Sequence, residues 1–195
     1  MTIAAILTVL FLISCKSPLE TPVDPVKEPP EADQNWEMKQ ISSNYRINNI
    51  VITDGRNDGV QRIYGASFDG GLYEWSYHGE SGEWQEIELL RIGENPPGNG
   101  IIFYGLQAGK GQNDNKTRLY GANGNGYTYE FSYNNGLDSW EKRKLDEGGN
   151  YQPQGILIGD SRNDGGNHVL SCATEINELP MVQEHSWSDN SDQYV

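Results

Sequence analysis

The chain has 195 residues, and its 14 basic residues against 28 acidic residues give a net charge of −14. This charge repels nucleic-acid phosphates and anionic lipid headgroups, so we expect no nucleic-acid partner. A hydrophobic content of 35% over this length is sufficient for one globular domain with a core. The acidity itself fits either a solvated surface or cation binding.

The N-terminus is apolar and carries no charged side chain before Cys15. Its apolar run of about 11 residues is too short to span a bilayer, which needs about 20, but suits a signal peptide. The segment Leu12-Ile13-Ser14-Cys15 resembles the lipobox of bacterial lipoproteins, in which cleavage precedes a cysteine that then carries the lipid. The resemblance implies a signal peptide at 1–14, lipid attachment at Cys15 and a lipid-anchored place in the bacterial cell envelope, at the outer membrane or cell surface. The alternative is a buried N-terminal strand.

Residues 15–34 contain five prolines among acidic and polar residues, a composition that predicts an extended tether. The folded domain is then expected at 35–195. If Cys15 carries a lipid, Cys172 is the last remaining thiol and no intramolecular disulfide can form. We expect Cys172 to be a small buried residue, because alanine stands at its equivalent positions in the two earlier copies of the repeat described next.

The dominant feature of the domain is an internal repeat, because the stretch from Gln61 to Trp84 recurs 56 residues later without a gap. A period of about fifty residues is typical of propeller blades or solenoid coils. The recurring residues are Arg62, Tyr64, Gly65, Ala66, Gly70, Tyr73, Glu74, Ser76, Tyr77 and Trp84 in the first copy, and Arg118, Tyr120, Gly121, Ala122, Gly126, Tyr129, Glu130, Ser132, Tyr133 and Trp140 in the second.

Each copy is predicted to contain four short strands. In the first copy they are 50–52, 61–67, 72–77 and a strand that begins at Trp84. The first strand of the later copies is predicted at 101–104 and at 156–158. Tyr, Trp, Ile and Val dominate these runs and no long helical periodicity occurs, so we expect almost no helix.

The third copy is degenerate, with His168 in place of the arginine, and it stops before a fourth strand. The segment Trp36–Ile41 is similar to the fourth strands, so the domain is predicted to open with the last strand of a repeat, as propellers do when they close a ring. The predicted fold class is therefore all-β, with propeller-type four-stranded blades and three repeats per chain. Closed propellers have four to eight blades, so either a homodimer completes a ring of six, or the chain is part of a larger ring.

An acidic loop precedes the second strand in two of the copies. Its Asp-x-x-x-Asp-Gly spacing resembles the calcium loops of integrin-alpha-type (FG-GAP) propeller repeats, in which carboxylates surround one hard cation. The candidate metal ligands are Asp54 and Asp58, or Asp160 and Asp164. Arg56 opposes calcium by charge repulsion, so the alternative is a turn held by side-chain hydrogen bonds. We therefore expect no cofactor, with calcium at one of these loops as the alternative.

Arg62, Glu74, Tyr77 and Trp84 form the main candidate site. Their pattern resembles the repeat of fucose-binding six-bladed propeller lectins, in which Arg and Glu bond sugar hydroxyls and aromatic rings stack on the sugar. The resemblance carries over to the second copy and, in weakened form, to the third. The residues it implies are Arg62, Glu74, Tyr77 and Trp84, then Arg118, Glu130, Tyr133 and Trp140, with Glu184 and Trp187 beside His168 in the third copy.

The alternative for the same residues is internal packing, with the Arg–Glu pairs buried between neighbouring sheets. No catalytic signature is found, and the recurrence of these residues argues against a single active site, so we expect no enzyme. The predicted function is a surface-anchored binding module whose partner is a glycan or a surface protein. The alternatives are a non-catalytic propeller scaffold for protein interaction and a truncated part of a larger surface protein.

Overall fold

The computed structural model describes residues 38–42, 44–91, 102–146, 151–175, 181–189 and 193–194, and these form an all-β fold. The predicted signal peptide, lipid site and tether lie outside the described residues. The strands are β1 (Ile47–Thr53), β2 (Arg62–Ser67), β3 (Gly71–His78), β4 (Glu83–Arg91), β5 (Phe103–Gly109), β6 (Arg118–Asn123), β7 (Tyr127–Asn134), β8 (Ser139–Lys144), β9 (Tyr151–Gly159), β10 (His168–Glu175), β11 (Met181–His185), β12 (Trp187–Ser188) and β13 (Gln193–Tyr194). No helix occurs in these ranges, as the composition predicts, and none of their segments is a helical membrane span.

The strands form three antiparallel sheets that correspond to the three sequence copies. We call them repeat 1 (β1-β2-β3-β4), repeat 2 (β5-β6-β7-β8) and repeat 3 (β9-β10-β11), and β12 pairs separately with β13. Four-stranded sheets are thus confirmed for the first two repeats. The same register holds in all three, because Glu74, Glu130 and Glu184 lie opposite the third residue of β2, β6 and β10 respectively.

One strand prediction is wrong, and the bounds of another differ from the structure. Trp36 lies outside the described residues, but residues 38–41 form no strand, and the side chain of Met38 is almost fully exposed. The first strand of repeat 2 begins at Phe103 and continues to Gly109, further than the apolar run at 101–104 indicated. The continuation contains glycines because the sheets approach closely: a Cβ on Gly105 would lie 3.2 Å from Cα of Gly155 in repeat 3.

The sheets pack face to face in sequence order. Between repeats 1 and 2 the core contains Tyr64, Ala66 and Leu72 from the first sheet and Leu106, Leu119 and Phe131 from the second. Between repeats 2 and 3 it contains Tyr120, Ala122, Leu145, Ile156 and Val169. Each fully buried side chain of this size contributes about 1.5–3 kcal/mol, so the sheet-to-sheet contacts are a main source of stability.

The first strands β1, β5 and β9 lie side by side along these contacts. The side-chain amides of Asn48 and Asn49 on β1 donate hydrogen bonds to the backbone carbonyls of Phe103 and Tyr104 on β5. The first strand of each sheet is therefore tied to the first strand of the next by polar contacts as well as by packing.

Cys172 corrects a further prediction, because it is exposed and not buried. Its equivalents Ala66 and Ala122 are fully buried, each beneath the following repeat. Cys172 lies on the face of repeat 3 against which none of the described residues forms a further sheet, so the same sheet position meets solvent.

Candidate functional site

The carboxylate of Glu74 is buried and bound inside the protein. Arg56, on the loop between β1 and β2, donates from Nε and Nη2 to its two oxygens at 2.9 and 2.8 Å, and Arg62 Nε lies 3.5 Å away. Glu74 is only 1% exposed. Its charge is therefore compensated by two arginines, and Arg56 is a partner that the sequence pattern did not identify.

Arg62 is itself fixed by a second carboxylate. Its Nη1 and Nη2 donate to the two oxygens of Asp58 at 2.8 and 2.7 Å. These hydrogen bonds lower the pKa of Asp58 below its usual range and raise that of Arg62. The loop carboxylate, the strand arginine and the buried glutamate thus form one internal network in repeat 1.

Repeat 2 keeps the buried glutamate but changes its partners. Glu130, 2% exposed, accepts hydrogen bonds from Gln112 at 2.7 Å, Tyr120 at 3.0 Å and Tyr194 at 2.6 Å. Arg118 Nε lies 3.7 Å away, while its Nη atoms bond Asp114 at 2.6 Å. Burial raises the pKa of Tyr120 and of Tyr194, so both hydroxyls keep the protons that they donate. Gln112 occupies the loop position of Arg56, and this shared position is the sequence signal that could have identified both.

In repeat 3 the third glutamate, Glu184, is part of a more open arrangement. Arg162 lies 2.5 Å from it, and the hydroxyls of Ser161 and Ser186 donate to it at 3.1 and 3.3 Å. His168 replaces the strand arginine and lies 3.5 Å from Glu184 and 3.3 Å from Asp164. His168 thus lies between a loop carboxylate and a strand glutamate, as Arg62 does in repeat 1, but it carries a positive charge only when protonated.

The predicted aromatic residues lie in pairs beside these networks. The rings of Tyr77 and Trp84 are 5.2 Å apart, and those of Tyr133 and Trp140 are 5.5 Å apart. The guanidinium of Arg56 lies 4.7 Å above the ring of Tyr133 and donates to its hydroxyl at 3.2 Å. Repeat 1 therefore covers the aromatic pair of repeat 2, whereas Tyr77 in repeat 1 is mostly exposed.

The acidic loops are turns closed by hydrogen bonds. The carboxylate of Asp54 accepts from the backbone N–H groups of Asp58 at 3.0 Å and Gly59 at 2.8 Å, and Asp160 accepts from Asp164 and Gly165 at 2.9 and 3.0 Å. In repeat 1 the carboxylate of Asp58 is paired with Arg62. In repeat 3 the ligand atoms of Asp160, Asp164 and His168 lie within 4.8 Å of one another, which makes this loop the one candidate cation group within the described ranges.

A polar cleft of about 390 Å³ lies where the loop of repeat 1 meets the β5–β6 loop and the strands β6, β7 and β8 of repeat 2. The Asn57 side chain forms one wall, since its Nδ2 donates to the carbonyl of Thr117 at 3.0 Å and its Oδ1 accepts from the Thr117 N–H at 2.7 Å. Two of the predicted site residues, Arg118 and Tyr133, line this cleft, but Glu130 does not. The lining residues are Asn57, Lys116, Thr117, Arg118, Ser132, Tyr133, Asn134, Asn135, Gly136 and Glu141.

Comparison with known proteins adds no relative: no family model matches the chain, and no curated protein matches it in sequence. The lectin-like, FG-GAP-like and lipobox patterns therefore stay resemblances between short groups of residues. The assignment of a site rests on the geometry described above.

Proposed function

We propose that this chain is a non-catalytic, propeller-type binding module in which the three repeats are successive blades. Three features support the proposal: the sheets pack face to face in chain order, their first strands lie side by side, and the register of the central hairpin is the same in each. The N-terminal motif supports a lipid anchor at Cys15 that attaches the module to the bacterial cell surface.

The polar cleft between repeats 1 and 2 carries the proposal of a glycan ligand. Its lining includes the hydrogen-bond donors Lys116 and Asn135, the acceptor Glu141 and the aromatic residue Tyr133. A sugar offers hydroxyls that both donate and accept, together with an apolar C–H face. The cleft volume of about 390 Å³ lies in the range of small-ligand pockets, roughly 300–1,000 Å³. Since both charge signs line the cleft, the ligand class is neutral and hydroxyl-rich.

The buried glutamates have a structural role in this proposal. Glu74 and Glu130 are enclosed and bonded within the protein, so neither carboxylate meets a ligand. Arg118 and Tyr133 are the residues of the predicted set that lie at the cleft. Because Arg118 is already bonded to Asp114, we assign it a structural role in the cleft wall. The neighbouring lining residues then bind the ligand.

A second candidate function is a scaffold that binds a protein partner. The observation that favours it is the burial of Glu74 and Glu130, because recurring carboxylates that are bonded inside the protein need no ligand to explain them. In that case the cleft is a groove between packed repeats, and recognition takes place elsewhere on the surface.

The test is a glycan-array screen of the full chain carrying Cys15→Ser, which cannot be lipidated. We expect hits that resist chelator, and the pair of substitutions Asn135→Ala and Glu141→Gln should weaken them at least tenfold. Glu83→Gln makes the same change on an exposed β4 carboxylate outside the cleft, and it should bind as the wild type. Unchanged binding by the cleft variant would reject the cleft, and a blank array on the folded chain would favour the scaffold.

A further inference from the structure

The outward face of repeat 1 exposes positions that are buried in the other repeats. Ile50 and Ile52 on β1 are 65% and 68% exposed. The positions equivalent to Ile50 are Leu106 on β5 and Ile156 on β9, which are 3% and 6% exposed. The later residues are buried because a preceding repeat packs on that face, whereas repeat 1 has no repeat in front of it among the described residues.

The outward face of repeat 3 exposes the opposite set of positions. Leu157 and Val182 are 65% and 71% exposed, and Cys172 between them in the sheet is exposed as well. Leu72, the equivalent of Val182 in repeat 1, is fully buried against repeat 2. Repeat 3 thus presents the type of face that receives a following repeat.

The polar contacts that join successive repeats also have exposed counterparts in repeat 1 and repeat 3. Asn57 and Asn113 each bind the backbone of the next repeat, a contact that we call the asparagine clasp. Asn57 Oδ1 accepts a hydrogen bond from Thr117 N–H and Asn113 Oδ1 accepts one from Asn167 N–H, both at 2.7 Å. Asn163 stands at the same loop position with the same left-handed backbone, φ 54° against 57° and 59°. Gln61 stands at the position of Thr117. Both Asn163 and Gln61 are exposed, and neither makes a hydrogen bond within the described ranges.

The residues of one further contact between repeats have exposed counterparts at the two ends. Arg56 of repeat 1 lies over Tyr133 of repeat 2. The equivalent arginine at the far end is Arg162, whose side chain is more than half exposed, and the equivalent aromatic residue at the near end is Tyr77, also more than half exposed. Repeat 3 therefore carries Asn163 and Arg162, which correspond to the contacting residues of repeat 1. Repeat 1 carries the Gln61 backbone and the Tyr77 ring, which correspond to the groups that are contacted in repeat 2.

We propose that the outward face of repeat 3 docks onto the outward face of repeat 1 in a second copy of this chain, head to tail, and so repeats the interface that joins successive repeats within the chain. Because the two faces differ, each copy offers one of each, and two copies can satisfy both faces in a closed six-repeat assembly. Docking would place Asn163 of one copy over Gln61 and Tyr77 of the other, and so form a further cleft of the same type. That this cleft binds a glycan rests on the proposed function.

The docking is tested by analytical ultracentrifugation of the full chain with Cys15→Ser at micromolar to 0.1 mM concentration. We expect a dimer that salt strengthens, because each copy carries a net charge of −14 that salt screens. Ile52→Asp on repeat 1 and Val182→Asp on repeat 3 should each weaken dimerisation at least tenfold. Leu137→Asp, at an equally exposed apolar residue of the β7–β8 turn, is the matched control and should leave the dimer intact.

Mixing the two variants separates head-to-tail docking from the alternatives. Each variant keeps one unmodified face, so the mixture should form a heterodimer that neither variant forms alone. A wild-type chain that is monomeric throughout this range, or a dimer that only one of the two substitutions dissolves, would overturn the proposal. Glycan binding at the cleft between repeats 1 and 2 should persist in Ile52→Asp, so failure of the docking and failure of the cleft are distinguishable.

Discussion

Glu74 and Glu184 occupy the same position in their repeats, and they differ most in how far the protein encloses them. Glu74 is 1% exposed, whereas the Glu184 side chain is 25% exposed, although a loop arginine contacts each of them. Repeat 2 packs over Glu74 through Tyr133, which covers Arg56, and no repeat packs over Glu184 among the described residues. The burial of this carboxylate is therefore provided by the next repeat and not by its own sheet.

The largest expected effect comes from removing the carboxylate at the covered position. Glu74→Ala leaves Arg56 without its carboxylate partner in a largely enclosed space, and breaking a buried ion pair in this way costs about 3–5 kcal/mol. Glu184→Ala makes the same change where water can solvate Arg162, so its effect should be much smaller. Urea unfolding followed by tryptophan fluorescence measures both free energies.

The exposed residue Leu137, changed to Ala, serves as the control for the unfolding measurement and should be neutral. Equal destabilisation by Glu74→Ala and Glu184→Ala would show that the sheet alone determines the strength of these contacts. The comparison between the two repeats would then lose its basis.

Much of the fold could be predicted from the sequence because the repeat is local. The hairpin from Arg62 to Tyr77 combines alternating side chains with a glycine turn, and β2 and β3 form where this pattern indicates. The first strand of repeat 2 was misplaced because close packing against repeat 3 requires small residues such as Gly105, and glycines weaken the strand signal.

The site was predicted less well than the fold, because its contacts cross between repeats. The pairing of Arg62 with Glu74 was predicted, but the stronger contact of Glu74 is with Arg56, from a loop that looked like a calcium loop. Tyr194 reaches Glu130 across 64 residues of sequence, and no spacing rule indicates such a contact. The exposure of Cys172 also depends on which neighbour is present and not on its own strand.

A smaller effect is expected from the clasp between repeats. Asn57→Ala removes two hydrogen bonds to Thr117 and should lower the free energy of unfolding by about 1 kcal/mol beyond the cost of the left-handed backbone. Asn163→Ala changes the same residue in the same backbone conformation without a clasp, so it measures that backbone cost alone. Both variants are compared by urea unfolding at a concentration where the chain is monomeric. An equal decrease in the free energy of unfolding would show that the hydrogen bonds of Asn57 to Thr117 do not stabilise the interface.

The smallest effect concerns the loop carboxylates, and it depends on pH. Hydrogen bonds from Arg118 lower the pKa of Asp114 to about 2, below its usual value of roughly 4. The folded state therefore holds this proton less tightly than the unfolded state, so the stabilisation is complete above pH of about 5 and is lost as the pH falls toward about 2. Asp114→Asn should destabilise the chain at pH 7 by less than about 1 kcal/mol, because Asp114 is exposed and the amide oxygen of asparagine still accepts a hydrogen bond from Arg118.

In acid the difference between Asp114→Asn and the wild type should disappear, which thermal unfolding between pH 2 and pH 7, in steps of about one pH unit, can follow. Asp164→Asn is the matched variant in repeat 3, where the Gly166 N–H is the main group that lowers the pKa and His168 adds to it. A backbone donor stays in place when the side chain becomes an amide, so at pH 7 this variant should change stability less than Asp114→Asn. If both variants gave the same pH profile, the permanent charge of Arg118 would not be what distinguishes repeat 2 from repeat 3.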